Sequence, residues 1–279
     1  MSNCEVTLLV SSCDKDEDTW YPFFKLFEKY WYNFPKEWGV VLNTETKKFI
    51  YKNIDIVCDG GGADRHNLSW TKRLYNVVKK IESDYIILTL SDYFLLDYVK
   101  QEEIEKIIFA MKERKEIGYI CLYPNEHSEK EDEEILNEYV RCKKGTSYVI
   151  NAQVGIWKKD YLLRLLRMNR SPWEWEILGS ELSYWLDESV YVIKSSENLP
   201  YPYDWRADGV SIYCRMWTRK CKEFFVENDI DTDIDFNIRG VWNPETPHKS
   251  VGIKKDLRYY MRDPFFKRLF NRIMRGGHK

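Results

Sequence analysis

The chain has 279 residues, with 43 Lys and Arg against 45 Asp and Glu and a formal net charge of -2. That balance gives no global drive toward nucleic acid, and a 44% hydrophobic content excludes wholesale disorder. Seven scattered cysteines without a CxxC pair argue against a zinc knuckle and for reduced thiols in a cytosolic protein.

Polar Ser2, Asn3 and Glu5 interrupt the start, so no signal peptide is visible. Residues 5–12 (EVTLLVSS) read as a buried first strand, and 14–18 as an acidic turn. Apolar residues at helical spacing over 19–31 predict a helix with Thr19 at its N-cap. Strands follow at 38–43 and 54–58. Gly60, Gly61 and Gly62 open a loop that lacks both the Lys-Ser/Thr ending of a P-loop and the spacing of a dinucleotide fingerprint. A helix over 70–81 is capped from the Asn67/Ser69 side. The run 85–90 (YIILTL) is continuously apolar, as in strands covered on both faces. A helix over 101–114 and a strand over 119–123 come next, then a strongly acidic stretch, 126–138, that reads as a solvated loop. No apolar run is long enough to span a bilayer.

This alternation predicts an α/β layered domain with a largely parallel sheet. Ligands in such sheets sit beyond the carboxyl ends of the strands. Residues 11–14, 59–62 and 91–94 are therefore the candidate site loops. Ser11, Ser12 and Asp14 follow the first strand, either as ligand contacts or as a helix-entry turn. Asp92, set directly after the buried run 85–90, is held where a carboxylate can bind a divalent cation or cap the next segment. Arg73, on the preceding helix, suits a phosphate or plain solvent.

The densest signal is 148–180, YVINAQVGIWKKDYLLRLLRMNRSPWEWEILGS. It reads as a strand, a helix, and a loop delivering Trp173, Glu174, Trp175 and Glu176. Indole faces stack on sugar rings, and a carboxylate can take a proton from a sugar hydroxyl. Ser171-Pro172-Trp173-Glu174 has the form of a capping box, which gives Glu174 a structural duty. Glu176 has none and is the preferred base, with Glu174 second and Glu181 a distant third. One of the two tryptophans is expected in the core. Asn151 and Gln153 either bond sugar hydroxyls or satisfy backbone at a bend.

The order of these pieces resembles bacterial polysaccharide-locus glycosyltransferases of GT-A type over roughly residues 5–240. The carriers are the Ser/Asp loop, the helix with Trp70 and Arg73, SDYIILTLSDYFL, QVGIWKKDYLLRLL and SPWEWE. The last piece is also similar to the Trp-Gly-Trp-Gly-Glu-Asp segment of β-1,4-galactosyltransferases, without its glycines or paired acid. The resemblance implies a GT-A-like, Rossmann-related three-layer domain with a mixed central sheet over 1–245, divided into a nucleotide-binding half, 1–98, and an acceptor-binding half, 99–245. It implies transfer of a sugar from a nucleotide-diphosphate donor, with UDP the expected nucleotide, to a hydroxyl of a glycan or lipid-linked glycan, with inversion. Ser11, Ser12, Asp14, Arg73, Asp92 and Arg239 would serve the donor. Asn151, Gln153, Trp173 and Trp175 would serve the acceptor. Mg²⁺ or Mn²⁺ would be held by Asp92 and His248. Ser91 stands where the family often has a second acid, which leaves a catalytically degenerate glycan-binding protein as one alternative. A sugar-phosphate nucleotidyltransferase is the other, although it would want a glycine-rich basic loop where this chain has Ser-Ser-Cys-Asp.

Residues 246–279 change character. From Lys249 onward ten Lys and Arg face only Asp256 and Asp263, with apolar residues recurring between them. This predicts a basic, helical, amphipathic tail. Residues 256–275 would either lie on an anionic membrane face or pack on the catalytic body. The first alternative makes the protein peripheral on the inner membrane face, and otherwise cytoplasmic.

Overall fold

All six residues of the first strand, β1 (Val6–Ser11), are buried, because the strand is covered on both faces. The computed structural model describes residues 5–52, 54–60, 68–230 and 234–245. After β1 come a 3-10 turn (Asp14–Thr19), α1 (Trp20–Tyr30), β2 (Gly39–Asn43), β3 (Ile56–Asp59) and α2 (Trp70–Lys80). These are followed by β4 (Tyr85–Leu90), α3 (Gln101–Glu113), β5 (Ile117–Cys121), β6 (Lys130–Ile135) and β7 (Tyr139–Cys142). Then come β8 (Gly155–Lys158), α4 (Lys159–Leu165), α5 (Pro172–Ser183) and β9 (Ser189–Ile193). A small ribbon of β10 (Ile212–Tyr213) and β11 (Met216–Trp217), with α6 (Arg219–Glu227) and α7 (Phe236–Arg239), completes the described chain.

The main sheet has the order β3-β2-β1-β4-β8-β5-β9-β7-β6. β1 pairs in parallel with both β2 and β4, and β2 with β3. Alternation along each strand splits the apolar residues between two cores. Val6, Leu8 and Val10 join α1 and α3 on one face, while Leu9, Ile86 and Leu88 join α2, α4 and α5 on the other. The result is a three-layer α/β arrangement around a mixed central sheet.

Two expectations need correction. The sheet is mixed rather than largely parallel, since β8 runs antiparallel to both β4 and β5. The chain re-enters the sheet after a hairpin with no crossover helix, so it arrives from the opposite end. The acidic stretch 126–138 is also not simply loop. Residues 130–142 form the β6–β7 hairpin; Ile135 pairs with Tyr139, so three residues close it, with Leu136 and Asn137 at φ 52 and 60. Positive φ is the left-handed region, which Asn enters more readily than most side chains. The charges of β6 sit on the sheet's edge, where they oppose edge-to-edge pairing, and Arg141 crosses from β7 to Glu133 at 2.6 Å. The predicted basic tail, His66 and His248 lie outside the described residues.

Gly155 shows how tightly the centre of the sheet is filled. A Cβ there would stand 2.3 Å from the Tyr119 ring and 2.7 Å from the Ile120 carbonyl oxygen. Tyr119 has no room to yield, because its ring stacks on Trp157 at 3.6 Å and its hydroxyl bonds Asn151 at 2.9 Å. Gly155→Ala is expected to cost about 1–3 kcal/mol by overpacking, read as a lowered urea midpoint at unchanged m-value.

Candidate functional site

The carboxyl ends of β1 and β4 lie side by side because Ser11 pairs with Leu90 in parallel register. The residues that follow each strand therefore emerge together. The Ser12 and Ser91 hydroxyls bond at 2.9 Å, Thr19 donates to the Ser91 oxygen at 2.9 Å, and the Trp20 indole N–H donates to Ser12 at 2.7 Å. Trp70 donates its indole N–H to Ser11 at 2.9 Å. Arg73 is buried rather than solvated. It reaches down from α2 to the Ser12 carbonyl at 3.1 Å and to Glu45 at 2.8 Å. Its Nε and the Asn43 Oδ1 are buried with no hydrogen-bond partner among the described residues. Unpaired polar atoms at a sheet's carboxyl edge are groups a polar ligand can satisfy.

Asp14 is engaged within the protein. Its carboxylate accepts the N–H groups of Glu45, Thr46 and Lys47, and the Thr46 hydroxyl. Burial opposes the charge, yet these donors hold its pKa at about 2. This corrects its expected role as a donor contact: Asp14 pins the loop after β2 to the loop after β1, and its lone pairs are spent there.

Asp92 lies half-buried behind this network. Burial, helped by the negative charge of Asp16 and opposed by Arg239, pushes its pKa up to about 7. Arg239 therefore belongs to the same corner, but it is already paired. It donates to Asp18 at 2.6 Å and to Asp16 at 2.8 Å, and its guanidinium lies over the Trp217 ring at 5.7 Å. Asp16 is further engaged by the Cys13 thiol, which donates to it at 2.9 Å. Among the described residues no group of three or more His, Cys, Asp or Glu side chains is disposed to hold a metal ion. Mg²⁺ sites built on one or two protein carboxylates need phosphates to supply the remaining oxygens, so Asp92 by itself makes no metal site.

Glu176 reaches the same corner from the opposite core. α5 starts with the capping box read from the sequence: the Ser171 hydroxyl accepts the Glu174 N–H, and Glu174 accepts the Ser171 N–H at 2.7 Å. Glu174 is thus spent on the helix end, which removes it as a base. Two residues on, Glu176 faces the loop before β8 and accepts the Ala152 N–H at 2.8 Å. Burial pushes its pKa up to about 7, against the pull of that single amide. Tyr93, next to Asp92, has its hydroxyl within the field of both carboxylates, Asp92 and Glu176, and burial with these charges drives its pKa well above the ordinary value. β8 begins at Gly155 opposite Leu88, so the Ala152 amide and the Glu176 it holds stand at the same end of β4 as Asp92.

The flanking residues divide. Trp175 is fully buried, donates its indole N–H to the Leu165 carbonyl at 3.2 Å, and packs against Trp70 and Trp157. It is core and is corrected as a sugar-stacking ring. Trp173 is 66% exposed. Asn151 is buried, its oxygen taken by the Tyr119 hydroxyl and the Gln153 N–H, so it satisfies a bend rather than a sugar. Gln153 accepts from the Tyr203 hydroxyl at 2.7 Å, and that hydroxyl in turn accepts the Val154 N–H at 3.1 Å.

Sequence reasoning missed Tyr93 and Tyr203, whose rings stack at 4.7 Å. Tyr93 stood inside the quoted SDYFL run, and Tyr203 in Tyr-Pro-Tyr-Asp, an aromatic turn after a strand. It also missed Glu45, Asp16 and Asp18, the partners of the two arginines; nothing short of the fold pairs them.

No family model matches the chain, and no curated protein does. Among solved structures it is similar to S. aureus TarS residues 1–349, with TM-score 0.43 and 11% identity over 68% of this chain and 60% of that one. It is also similar to the bifunctional IspDF from Campylobacter jejuni, with TM-score 0.38 and 14% identity over 70% of this chain and 51% of that one. A third likeness is to CMP:2-keto-3-deoxy-manno-octonic acid synthetase complexed with CTP, with TM-score 0.38 and 9% identity over 68% of this chain and 90% of that one. The chain thus spans only about 60% of the TarS fragment and 51% of IspDF. Likeness at this level assigns no reaction.

A carboxyl group whose folded pKa is raised binds its proton more tightly when folded, so the stability it contributes is complete below the unfolded value and is lost as pH rises through the folded one. For Glu176 that window runs from the ordinary 4.5 up to about 7. Glu176→Gln keeps the shape and the acceptor for the Ala152 N–H but cannot ionise. It is expected to match the wild type in melting temperature below pH 5 and exceed it above pH 7, as scanning calorimetry across that range would show.

Proposed function

We propose that this protein is a glycosyltransferase that moves a sugar from a nucleotide-diphosphate donor to a hydroxyl of a glycan. The observation that carries the reading is the placement of two acids at one end of β4, one from each half of the chain: Asp92 follows β4 by two residues, and Glu176 is held by the Ala152 amide just before β8, whose Gly155 pairs with Leu88. The roles divide by position. Ser11, Ser12, Asn43 and Arg73 line the parallel half of the edge, where loops and one buried cation favour a nucleotide with phosphates. Glu176 stands on the antiparallel half, fixed by the Ala152 amide, where an acceptor hydroxyl would approach.

In the step itself, the acceptor oxygen forms a bond to the anomeric carbon as the bond from that carbon to the diphosphate oxygen breaks. The hydroxyl proton passes to the Glu176 carboxylate, and the nucleoside diphosphate leaves with the bonding pair. A direct displacement of this kind inverts the anomeric centre. A base with pKa near the working pH is ionised often enough to act and basic enough to pull. Mg²⁺ or Mn²⁺, when bound between Asp92 and the donor phosphates, would neutralise the leaving group's charge. Arg239, held by Asp16 and Asp18, adds fixed positive charge beside Asp92. UDP is the nucleotide this reading expects. A nucleotidyltransferase would need glycine and basic residues after β1, and that loop here carries Cys13, Asp14 and the acidic 3-10 turn. The membrane role of the basic tail remains part of the same proposal, as an anchor near a lipid-linked acceptor.

The test is a UDP-sugar panel assayed for donor hydrolysis and transfer, with mass-spectrometric detection. Glu176→Gln is expected to lower turnover by about 10²–10⁴-fold with little change in UDP affinity. Asp92→Asn is expected to weaken UDP binding in Mg²⁺ or Mn²⁺ and to lower turnover. Wild-type turnover should rise with pH through about 7, as Glu176 ionises. Undiminished turnover in both variants would remove the assignment, and nucleotide transfer onto a sugar phosphate would replace it with the rival.

A further inference from the structure

A cleft of about 310 Å³ opens between the segment after Asp92, residues 96–100, and the segment after β9, residues 196–206. Its size falls at the small end of ligand pockets, roughly 300–1,000 Å³, which suits one sugar unit. The two segments are tied together by backbone: the Leu96 N–H donates to the Pro202 carbonyl and the Lys100 N–H to the Pro200 carbonyl, each at 3.0 Å. The cleft is therefore held open by paired chain and not by loose loops.

Its inner wall is Tyr203, with Tyr123 against it at 5.0 Å. The far side of Tyr203 stacks on Tyr93, and its hydroxyl grips Gln153 and the Val154 N–H. The same short segment, 151–154, supplies the Ala152 amide that fixes Glu176. One rigid wall thus separates the cleft from the candidate base. At the mouth, Tyr98 is 54% exposed, an amphipathic ring that meets Tyr30 and Tyr32 edge to face at 5.5 and 5.8 Å. Rings with polar tips around a small open cavity are what a sugar's alternating C–H faces and hydroxyls require.

Charge narrows the ligand further. Asp97, Glu197 and Asp204 line the cleft against Lys100 and Arg206. Arg206 is folded onto Asp204 through two hydrogen bonds, at 2.8 and 2.9 Å. Lys100 turns its ammonium to the Asn198 carbonyl at 3.1 Å. The cations are engaged within the protein and carboxylates are in excess, so a phosphate or uronate would meet net repulsion.

We propose that this cleft is a saccharide subsite that takes an uncharged sugar unit of the acceptor. The proposal rests on the transferase reading for the word acceptor; the binding itself does not. The experiment uses the full-length protein on an array of defined oligosaccharides in three arms, neutral, uronate-bearing and phosphate-bearing. UDP affinity is measured in parallel by calorimetry, and folding is checked by melting temperature. Retention on neutral glycans is expected, reduced by roughly three- to tenfold in Tyr98→Ala as one stacking face is lost. Glu197→Lys, an exposed change, is expected to move retention toward the anionic arms, which a merely structural role would not do. UDP affinity should be unchanged in both variants. The proposal is overturned if no neutral glycan is retained, if the wild type prefers an anionic arm, or if neither variant alters retention at unchanged melting temperature. UDP binding without glycan retention would discard the subsite and leave the transferase reading standing. Neutral-glycan retention without UDP binding would do the reverse.

Discussion

The site depends on one constraint, the parallel register of β1 against β4. Val6 faces Tyr85 and Ser11 faces Leu90 without a break. Side chains in a strand alternate faces, so a slip of one residue would exchange the two cores along the whole strand. Leu8 and Leu9 are both fully buried, on opposite sides, and this two-sided burial makes a slip costly. The register in turn delivers Ser12 and Ser91 to bonding distance, and with them the turn that carries Asp92. The acid's position is thus a consequence of hydrophobic pairing some distance away. The hydroxyl network of Ser12, Ser91, Thr19 and Trp20 then locks the two loops in place.

Much of this architecture was legible beforehand, for physical reasons that can be named. The runs 5–12 and 85–90 each hold consecutive apolar residues, 8–10 and 85–88, as doubly covered strands require. The α5 capping box could be read letter by letter, because it is a local motif whose partners are three residues apart. One tryptophan of the pair was expected in the core, and the helix that forms there accounts for it. Residues 173 and 175 lie about 200° apart on a regular helix, so one ring faces inward when the other faces out. Where reading stopped short, the missing information was non-local. Arg73 and Arg239 carried no sign of their acidic partners in the sequence. Their burial is decided by Glu45, Asp16 and Asp18, which the fold brings to them from distant stretches. The β6 hairpin was hidden by its charges. An edge strand has one solvated flank and can carry Glu and Lys where a central strand cannot. The three-residue closure at 136–138 was a weak signal, since it reads Leu-Asn-Glu and carries no glycine at a left-handed position.

Glu176 and Asp92 also illustrate a cost that the fold carries at its working edge. Each is a carboxyl group taken partly out of water with few donors to compensate. Asp14, a few residues from the same edge, shows the alternative: surrounded by amide donors, its pKa is held far below that of the other two. Donor supply, not burial alone, separates these acids. A structural carboxylate gathers N–H groups and becomes inert, whereas one left with a single amide stays near neutrality and can exchange protons.

The same logic orders the aromatic residues, which are too many to share one purpose. Trp20, Trp70 and Trp175 each place the indole N–H on an internal acceptor, so they are fixed polar braces within apolar cores. Tyr93 and Tyr203 form a second class. Their rings stack on one another, and Tyr203 ties its hydroxyl to the strand entrance that also anchors Glu176. Movement of that wall would shift the Ala152 amide, the one donor to the Glu176 carboxylate among the described residues. The wall beside the cleft is thereby tied to the Glu176 carboxylate. On the proposed transferase reading, a ligand pressing on Tyr203 from the cleft side would act on Glu176 without touching it.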